Sequence, residues 1–394
     1  MNLEQLQRLE ARYAMPTYAR APVEFVRGEG ARLWDADDRE YLDFFSGLAV
    51  HNAGHCHPRI TEAIQGQAAR LVGTSNLYYT EPTMRLHERV SESSLGGQVF
   101  LANSGTEANE AAIKVVRKRA HQRGVERPEI VTLGSAFHGR SLAPLAATPK
   151  LAREDLFGPL PAGFQAVARD DAEALSAAVG SQTAAVMLEP IQGEAGVFPI
   201  ADEVLLAARE ACDRVDALLV FDEVQTGMGR TGSLWAYEQA PVRPDVMTAA
   251  KALGGGLPVG ACVLGAGIEP PLERGEHGST FAGGPVAAAA SLAAFDVLDD
   301  PALLRSVREL GGALREALAQ LDSVVDVRGR GLMVGVTLAD GVDAAAVGAR
   351  ALDAGLVINV PGPGMLRLLP PLVVDEGQIE AGVALLADVL SGES

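Results

Sequence analysis

Lysine is nearly missing from this chain: of 33 basic residues only four are lysines, Lys114, Lys118, Lys150 and Lys251. Cysteine is as sparse, with Cys56, Cys212 and Cys262 spread widely over 394 residues. An odd number at that spacing excludes a disulfide framework and suits free thiols in a reducing compartment. Positive charge is in deficit, the formal net charge being −18. Such a chain repels nucleic-acid phosphates and anionic lipid headgroups and has no basic stripe, so neither nucleic acid nor membrane is expected as a partner. The opening stretch "MNLEQLQRLEARYA" lacks the apolar run of a signal peptide, and the expected location is cytoplasmic. Gly278 to Phe295 has no ionisable side chain over nearly a membrane-spanning length, but its Gly-Gly-Pro and its alanines read as the start of a buried helix.

What is present is a globular composition, 48% hydrophobic and 21% charged, in a chain longer than one core usually serves. Between residues about 98 and 265, short apolar runs alternate with amphipathic stretches. The runs are "QVFLA", "EIVTL", "AAVMLEP", "ALLVFDE" and "DVMTA", with "GACVLG" a further candidate, and between them lie helical patterns such as "GTEANEAAIKVVRKRAHQ". This alternation predicts an α/β fold with a mainly parallel sheet between helices, whose ligands sit beyond the carboxyl ends of the strands. Residues 51–295 are read as this large domain and 296–394 as a small α+β domain. Residues 1–50, with a hairpin around Asp37-Asp38, are assigned to the small domain.

Three motifs carry chemistry. "NSGTEANE" (103–110) follows a predicted strand and opens a helix, where Ser104, Gly105, Thr106 and free N–H groups suit a phosphate; a capping arrangement through Thr106 with Glu107 or Glu110 is the alternative. Asp222 ends the apolar strand "ALLVF", at the edge where ligands bind, and is either a structural ion-pair member or a ligand group, with Gln225 close behind. Lys251 stands among alanines and three glycines in "TAAKALGGGLP", where loss of water lowers an amine's pKa and makes it a nucleophile toward carbonyls. Its alternative is a snorkelling surface lysine. A phosphate cup, a carboxylate and a nucleophilic lysine together are what pyridoxal 5'-phosphate requires. Gly254 to Gly256 are expected to let the backbone turn after Lys251. "GHCHP" (54–58) reads as a turn rather than a metal site, and His138 is left open between a structural role and a place in the site.

With these, "FHGRS", "EPIQGEAGV", "FDEVQTGMGRTG", "AKALGGG" and "HGSTF" resemble the class III, ornithine-type aminotransferases of fold type I, and "SNLYYTEP" with "GHCHP" resembles their acetylornithine branch. The resemblance spans about residues 15 to 388. It implies a seven-stranded sheet, pyridoxal phosphate bound covalently by Lys251, and a homodimer with shared sites. It implies further that Asp222, Val224 and Gln225 contact the cofactor ring, that Phe137 stacks on it, and that Ser104, Gly105 and Thr106 hold the phosphate together with Thr280 from the neighbouring subunit. On the substrate side it implies Arg140, Ser279, Tyr18 and Arg367, the last paired with Glu194 until an oxoacid displaces it. The implied activity moves the terminal amine of N-acetylornithine to 2-oxoglutarate in arginine biosynthesis. The alternatives are a related enzyme of lysine biosynthesis, acting on N-succinyl-diaminopimelate or a carrier-bound aminoadipate semialdehyde, and ornithine itself as donor. Leu48, where ornithine-specific relatives tend to carry a tyrosine, favours the acylated donor. Ala282 and Gly284 depart from the family pattern in a loop expected at the subunit interface.

Overall fold

The computed structural model describes residues 1–392. Strands β1 (Phe25–Glu29), β2 (Arg32–Asp35) and β3 (Glu40–Asp43) form antiparallel hairpins near the N-terminus. The second turns at Asp37-Asp38 because the Asp35 carboxylate accepts the N–H groups of Asp37 and Arg39 at 3.0 and 2.9 Å, while Asp38 takes a left-handed φ of 62°.

The large sheet is built from β4 (Gly96–Ala102), β5 (Glu129–Leu133), β6 (Phe164–Val167) and β7 (Thr183–Leu188), followed, after a short hairpin of β8 (Ile191–Gln192) and β9 (Phe198–Pro199), by β10 (Leu218–Asp222), β11 (Val246–Ala249) and β12 (Gly260–Gly265). Its seven strands lie in the order β4-β12-β11-β10-β7-β5-β6, and β12 alone runs against its neighbours. Every residue of β7, β10 and β11 is buried, as strands covered on both faces must be, and this is why they read as unbroken apolar runs. β6 escapes such a reading: it has four residues, lies at the sheet edge and is partly exposed.

Farther along come β13 (Val324–Arg330), β14 (Met333–Leu338), β15 (Leu356–Val357), β16 (Asn359–Gly362) and β17 (Met365–Leu368). β13-β14-β17-β16 form an antiparallel sheet, whereas β15 pairs parallel with β3, Leu356 opposite Leu42. The uncharged stretch after Gly278 leads into the buried helix Pro285–Leu298. Among the described residues no helix is long and apolar enough to cross a membrane.

Glu223, directly after β10, is 1% exposed and makes no ion pair among the described residues; it accepts the N–H groups of Ala236 and Tyr237, each at 2.7 Å, and the Thr226 hydroxyl at 3.1 Å. Burial pushes its pKa up to about 7 from an ordinary 4.5, against those hydrogen bonds. A folded pKa above the unfolded one gives stability that is fully present below 4.5 and lost as pH rises through 7. Denaturant unfolding of Glu223→Gln between pH 5 and 8 is therefore expected to give a flatter profile than the parent, whose loss from this group is on the order of 3 kcal/mol.

Candidate active site

Five loops beyond carboxyl ends of sheet strands converge on one cavity of about 440 Å³. After β4 come Asn103 to Thr106; after β5, Phe137 to Arg140; after β7, Glu189; after β10, Asp222 itself with Val224 and Gln225; after β11, Lys251. Glu194 also lines it. The parallel sheet thus gathers residues more than 140 positions apart in sequence, as Thr106 and Lys251 are.

Ser104 caps the helix Gly105–Gln122, its hydroxyl accepting from the Glu107 N–H at 3.3 Å. The cap is therefore Ser104, not Thr106, and Glu107 reaches back to the Asn103 N–H at 2.7 Å. The N–H groups of Gly105 and Thr106 have no acceptor among the described residues, which leaves an anion site at the positive end of an 18-residue helix. Thr106 Oγ1 bonds the Ser141 hydroxyl at 2.7 Å and accepts the N–H groups of Arg140 and Ser141, each at 3.2 Å. Gly105 is required here by close approach, since a Cβ would stand 2.7 Å from Val224 Cγ1.

Asp222 is 4% exposed. Its Oδ2 accepts from Asn109 Nδ2 at 2.7 Å and His138 Nδ1 at 2.8 Å, and its Oδ1 from the Val224 N–H at 3.1 Å. Asn109 is fixed in turn by Thr248, whose hydroxyl donates to its Oδ1 at 2.6 Å. His138 is fully buried; burial opposes its cation, but the bond to Asp222 and the charges of Asp222 and Glu189 hold its pKa above the ordinary value. The question the sequence left open is thereby answered: His138 lines the cavity and is the imidazole partner of Asp222. Glu189 accepts the Phe137 N–H at 2.9 Å, and burial pushes its pKa up to about 7.

Lys251 has φ 49°, and Gly255 and Gly256 follow at 58° and 101°; Gly254 is not left-handed. The turn therefore begins at the lysine, a strain that a non-glycine residue bears only where the surrounding structure imposes it. Among the described residues the Lys251 amine makes no hydrogen bond or ion pair. Burial pulls its pKa below the ordinary range; Glu194 opposes this and the Arg367 charge adds to it.

Arg367 is 1% exposed. It donates to Glu194 Oε1 at 2.7 Å, to Gln225 Oε1 at 3.3 Å, and through Nε and a terminal nitrogen to Asn359 Oδ1 at 3.1 and 2.8 Å. Burial alone would raise the Glu194 pKa, but the Arg367 charge and hydrogen bond lower it. Arg140 is exposed, its guanidinium 5.5 Å from the Phe137 ring centroid.

Four of the expected residues are not among those that line this cavity, Arg367 meeting it through its bonds to Glu194 and Gln225, which do. Ser279 accepts from Asn103 Nδ2 at 2.9 Å but joins Thr280 in a neighbouring groove, and Tyr18 is 73% exposed on the N-terminal segment. Leu48 is half-buried within four successive left-handed residues, Ser46 to Ala49, with φ between 49° and 67°. In "GHCHP", His55 bonds Asp43 at 2.6 Å and Cys56 is exposed. Sequence reasoning missed Asn109, Glu189 and Asn359. Glu189 carried a signal, an acid ending the apolar run "AAVML" just as Asp222 ends "ALLVF".

An anion-binding helix end, a buried carboxylate with an imidazole behind it and a desolvated lysine define an α/β enzyme whose cofactor carries a phosphate, a basic ring nitrogen and a carbonyl. The model of the class-III aminotransferases matches residues 13–390, and the chain belongs to that family. It is 46% identical over 387 residues to the acetylornithine aminotransferase of Caldanaerobacter subterraneus subsp. tengcongensis, covering 97% of this chain and 98% of that one. Identity is 43% to the enzyme of the same name from Methanocaldococcus jannaschii, over 99% of both chains. Among solved structures, the ornithine aminotransferase of Toxoplasma gondii ME49 superposes with a TM-score of 0.94 at 32% identity, covering 100% of this chain and 96% of that one. The N-acetylornithine aminotransferase of Stenotrophomonas maltophilia K279a gives 0.84 at 36%, covering 98% of both. The cofactor is pyridoxal phosphate, and the cavity's chemistry fits it: the free N–H pair suits its phosphate, Asp222 its ring nitrogen and Lys251 its aldehyde.

Proposed function

We propose that this aminotransferase takes the terminal amine of N-acetylornithine and passes it to 2-oxoglutarate, giving N-acetylglutamate semialdehyde and glutamate, as a step of arginine biosynthesis in the cytoplasm. The observation that carries the reading is the 2.7 Å pair of Glu194 and Arg367 beside Lys251, with a second guanidinium, Arg140, exposed at the same cavity. Paired by Glu194, Arg367 presents no free charge to an amino donor; released, it offers a planar fork to the near carboxylate of an oxoacid, while Arg140 takes the distal carboxylate of either substrate. The names of the two sequence relatives at 46 and 43% identity, against 32% for the ornithine aminotransferase structure, and the apolar Leu48 support an acylated donor over free ornithine.

In this reading Gly105 and Thr106 hold the phosphate, Phe137 and Val224 lie against the ring, Gln225 reaches its hydroxyl, and Ser104 shapes the cup. Pyridoxal phosphate supplies a carbonyl for the substrate amine and a protonated ring nitrogen that draws electrons from the substrate carbon. Asp222 keeps that nitrogen protonated. Lys251, whose burial disfavours the charged amine, would hold the cofactor's carbonyl and, once displaced by the substrate amine, would accept the proton leaving the substrate carbon.

Residues 1–50 and 296–394 form the small domain in this reading, supported by the pairing of β3 with β15, and 51–295 the large one. A homodimer is part of the same proposal: Leu77, Tyr78, Tyr79 and Phe281 are 87, 71, 91 and 80% exposed around Thr280, an apolar surface that a monomer rarely shows. Thr280, Ser279 and Tyr18 then serve the partner's cavity. A spectrophotometric screen of the amino-donor half-reaction is expected to give N-acetylornithine a specificity constant at least about tenfold above that of ornithine. Equal constants would overturn the Leu48 argument.

A further inference from the structure

The segment Gly193–Val197 joins β8 to β9 and carries Glu194. Its backbone is strained, because Val197, β-branched and fully buried, sits at φ 61°, a region such residues avoid. Such strain persists only where the surroundings over-determine it. Here the surroundings are a row of residues across the small sheet: Arg328 lies opposite Gly335, Gly335 opposite Arg367, and Arg367 opposite Asn359. Directly opposed residues of antiparallel strands project to one face. The tip rests on that face, since a Cβ on Gly335 would stand 2.4 Å from the Gly196 carbonyl oxygen and 2.8 Å from Val197 Cβ. Within the row Arg328 Nε donates to the Gly196 carbonyl at 3.0 Å and Arg367 donates to Glu194 at 2.7 Å.

Phe198, just past the tip, carries two stacked guanidinium groups, Arg169 at 3.7 Å and Arg328 at 3.9 Å from its ring centroid. Arg328 is anchored to Asp326 and Thr337 at 2.7 and 2.6 Å. Arg169 makes no hydrogen bond or ion pair among the described residues, so the ring is its specific contact, held against the repulsion of a second cation.

We propose that Arg328 and Arg169, stacked on Phe198, are positioning residues that hold the Glu194 tip against Arg367 and so set how readily Arg367 is released to a substrate dicarboxylate. This rests on the reading of Glu194 and Arg367 given above. A ligand that needs Arg367 uncovered binds more weakly by the fraction of molecules in which it is uncovered. Loosening the tip therefore tightens the oxoacid and leaves an amino donor, which reacts with the pair closed, nearly unchanged.

The test is calorimetric binding of glutarate, a five-carbon dicarboxylate without a reactive carbonyl, to the cofactor-loaded enzyme and its variants. Arg328→Met is expected to lower the glutarate Kd about fivefold, with KM for 2-oxoglutarate falling in parallel and KM for the amino donor moving less than about twofold. In a Glu194→Gln background, where the group it acts through is gone, adding Arg328→Met is expected to shift the glutarate Kd by less than about 1.5-fold. An unchanged Kd in Arg328→Met, an equal loss in both half-reactions, or an effect undiminished in the Glu194→Gln background would overturn the clamp alone. A glutarate Kd insensitive to Glu194→Gln would instead overturn the pairing reading beneath it. Arg169→Met, on the other guanidinium stacked on Phe198, is expected to shift glutarate in the same direction, and decides the matter if Arg328→Met does not fold: no shift there overturns the proposal.

Discussion

Lys251→Ala is expected to lower turnover about 10⁴-fold, the upper range for loss of a positioned acid-base group. Three features make this position irreplaceable. The amine has no hydrogen bond or ion pair among the described residues, and burial lowers its pKa from the ordinary range, which favours the uncharged, nucleophilic form. The left-handed φ of 49° marks the lysine directly after β11, on the wall of the cavity that Asp222 also lines. The remaining lysines offer no substitute: Lys114 is tied to the Glu276 carbonyl and Lys118 to Glu273 and Glu276 on the far part of the helix, and Lys150 does not line the cavity. The variant should still retain cofactor through the helix end, and a steady-state assay beside an absorbance spectrum separates the two functions. Turnover within tenfold of the parent would remove Lys251 from the proposed chemistry.

Lys251 was legible because a lysine-poor chain spends one in an apolar setting, and Asp222 because it ends an apolar strand. Both signals are local, and both follow from the physics of parallel sheets, whose central strands are buried throughout and whose carboxyl ends face the ligand. Glu189 bore the same signature as Asp222 and was readable by the same rule. Asn109 and Asn359 were not, because their partners, Asp222 and Thr248 for one and Arg367 for the other, come alongside only when strands and helix pack. The alternative of a cap through Thr106 places the cap two positions beyond Ser104, which takes it, a displacement of the kind expected in helix starts rich in hydroxyls. β6 stayed hidden because four half-exposed edge residues lack an apolar run. The row Arg328-Gly335-Arg367-Asn359 depends on strand register, which periodicity alone does not reveal.

Asp222→Asn is expected to reduce kcat by about 10²–10³-fold, the scale seen when one preorganised electrostatic contact to a developing charge is lost. The substitution is isosteric, yet the site cannot absorb it. Oδ2 accepts from both Asn109 and His138, and Oδ1 accepts from the Val224 N–H. An amide placed with its nitrogen at Oδ2 sets a donor against two donors; placed the other way, it sets one against Val224. Asn109 cannot flip to relieve the first arrangement, since its Oδ1 is engaged by the Thr248 hydroxyl at 2.6 Å. Either orientation leaves a buried donor unsatisfied, at a cost of about 1–3 kcal/mol. The change also removes the carboxylate that holds the His138 pKa up, so the imidazole should titrate lower than in the parent, a shift measurable by NMR of the ring protons. A kcat loss with the His138 shift and a modest fall in unfolding midpoint is the expected combination. A stable variant with kcat within tenfold of the parent would show that Asp222 orders the cavity floor without supporting the ring nitrogen, and the mechanism would then need another group for that proton.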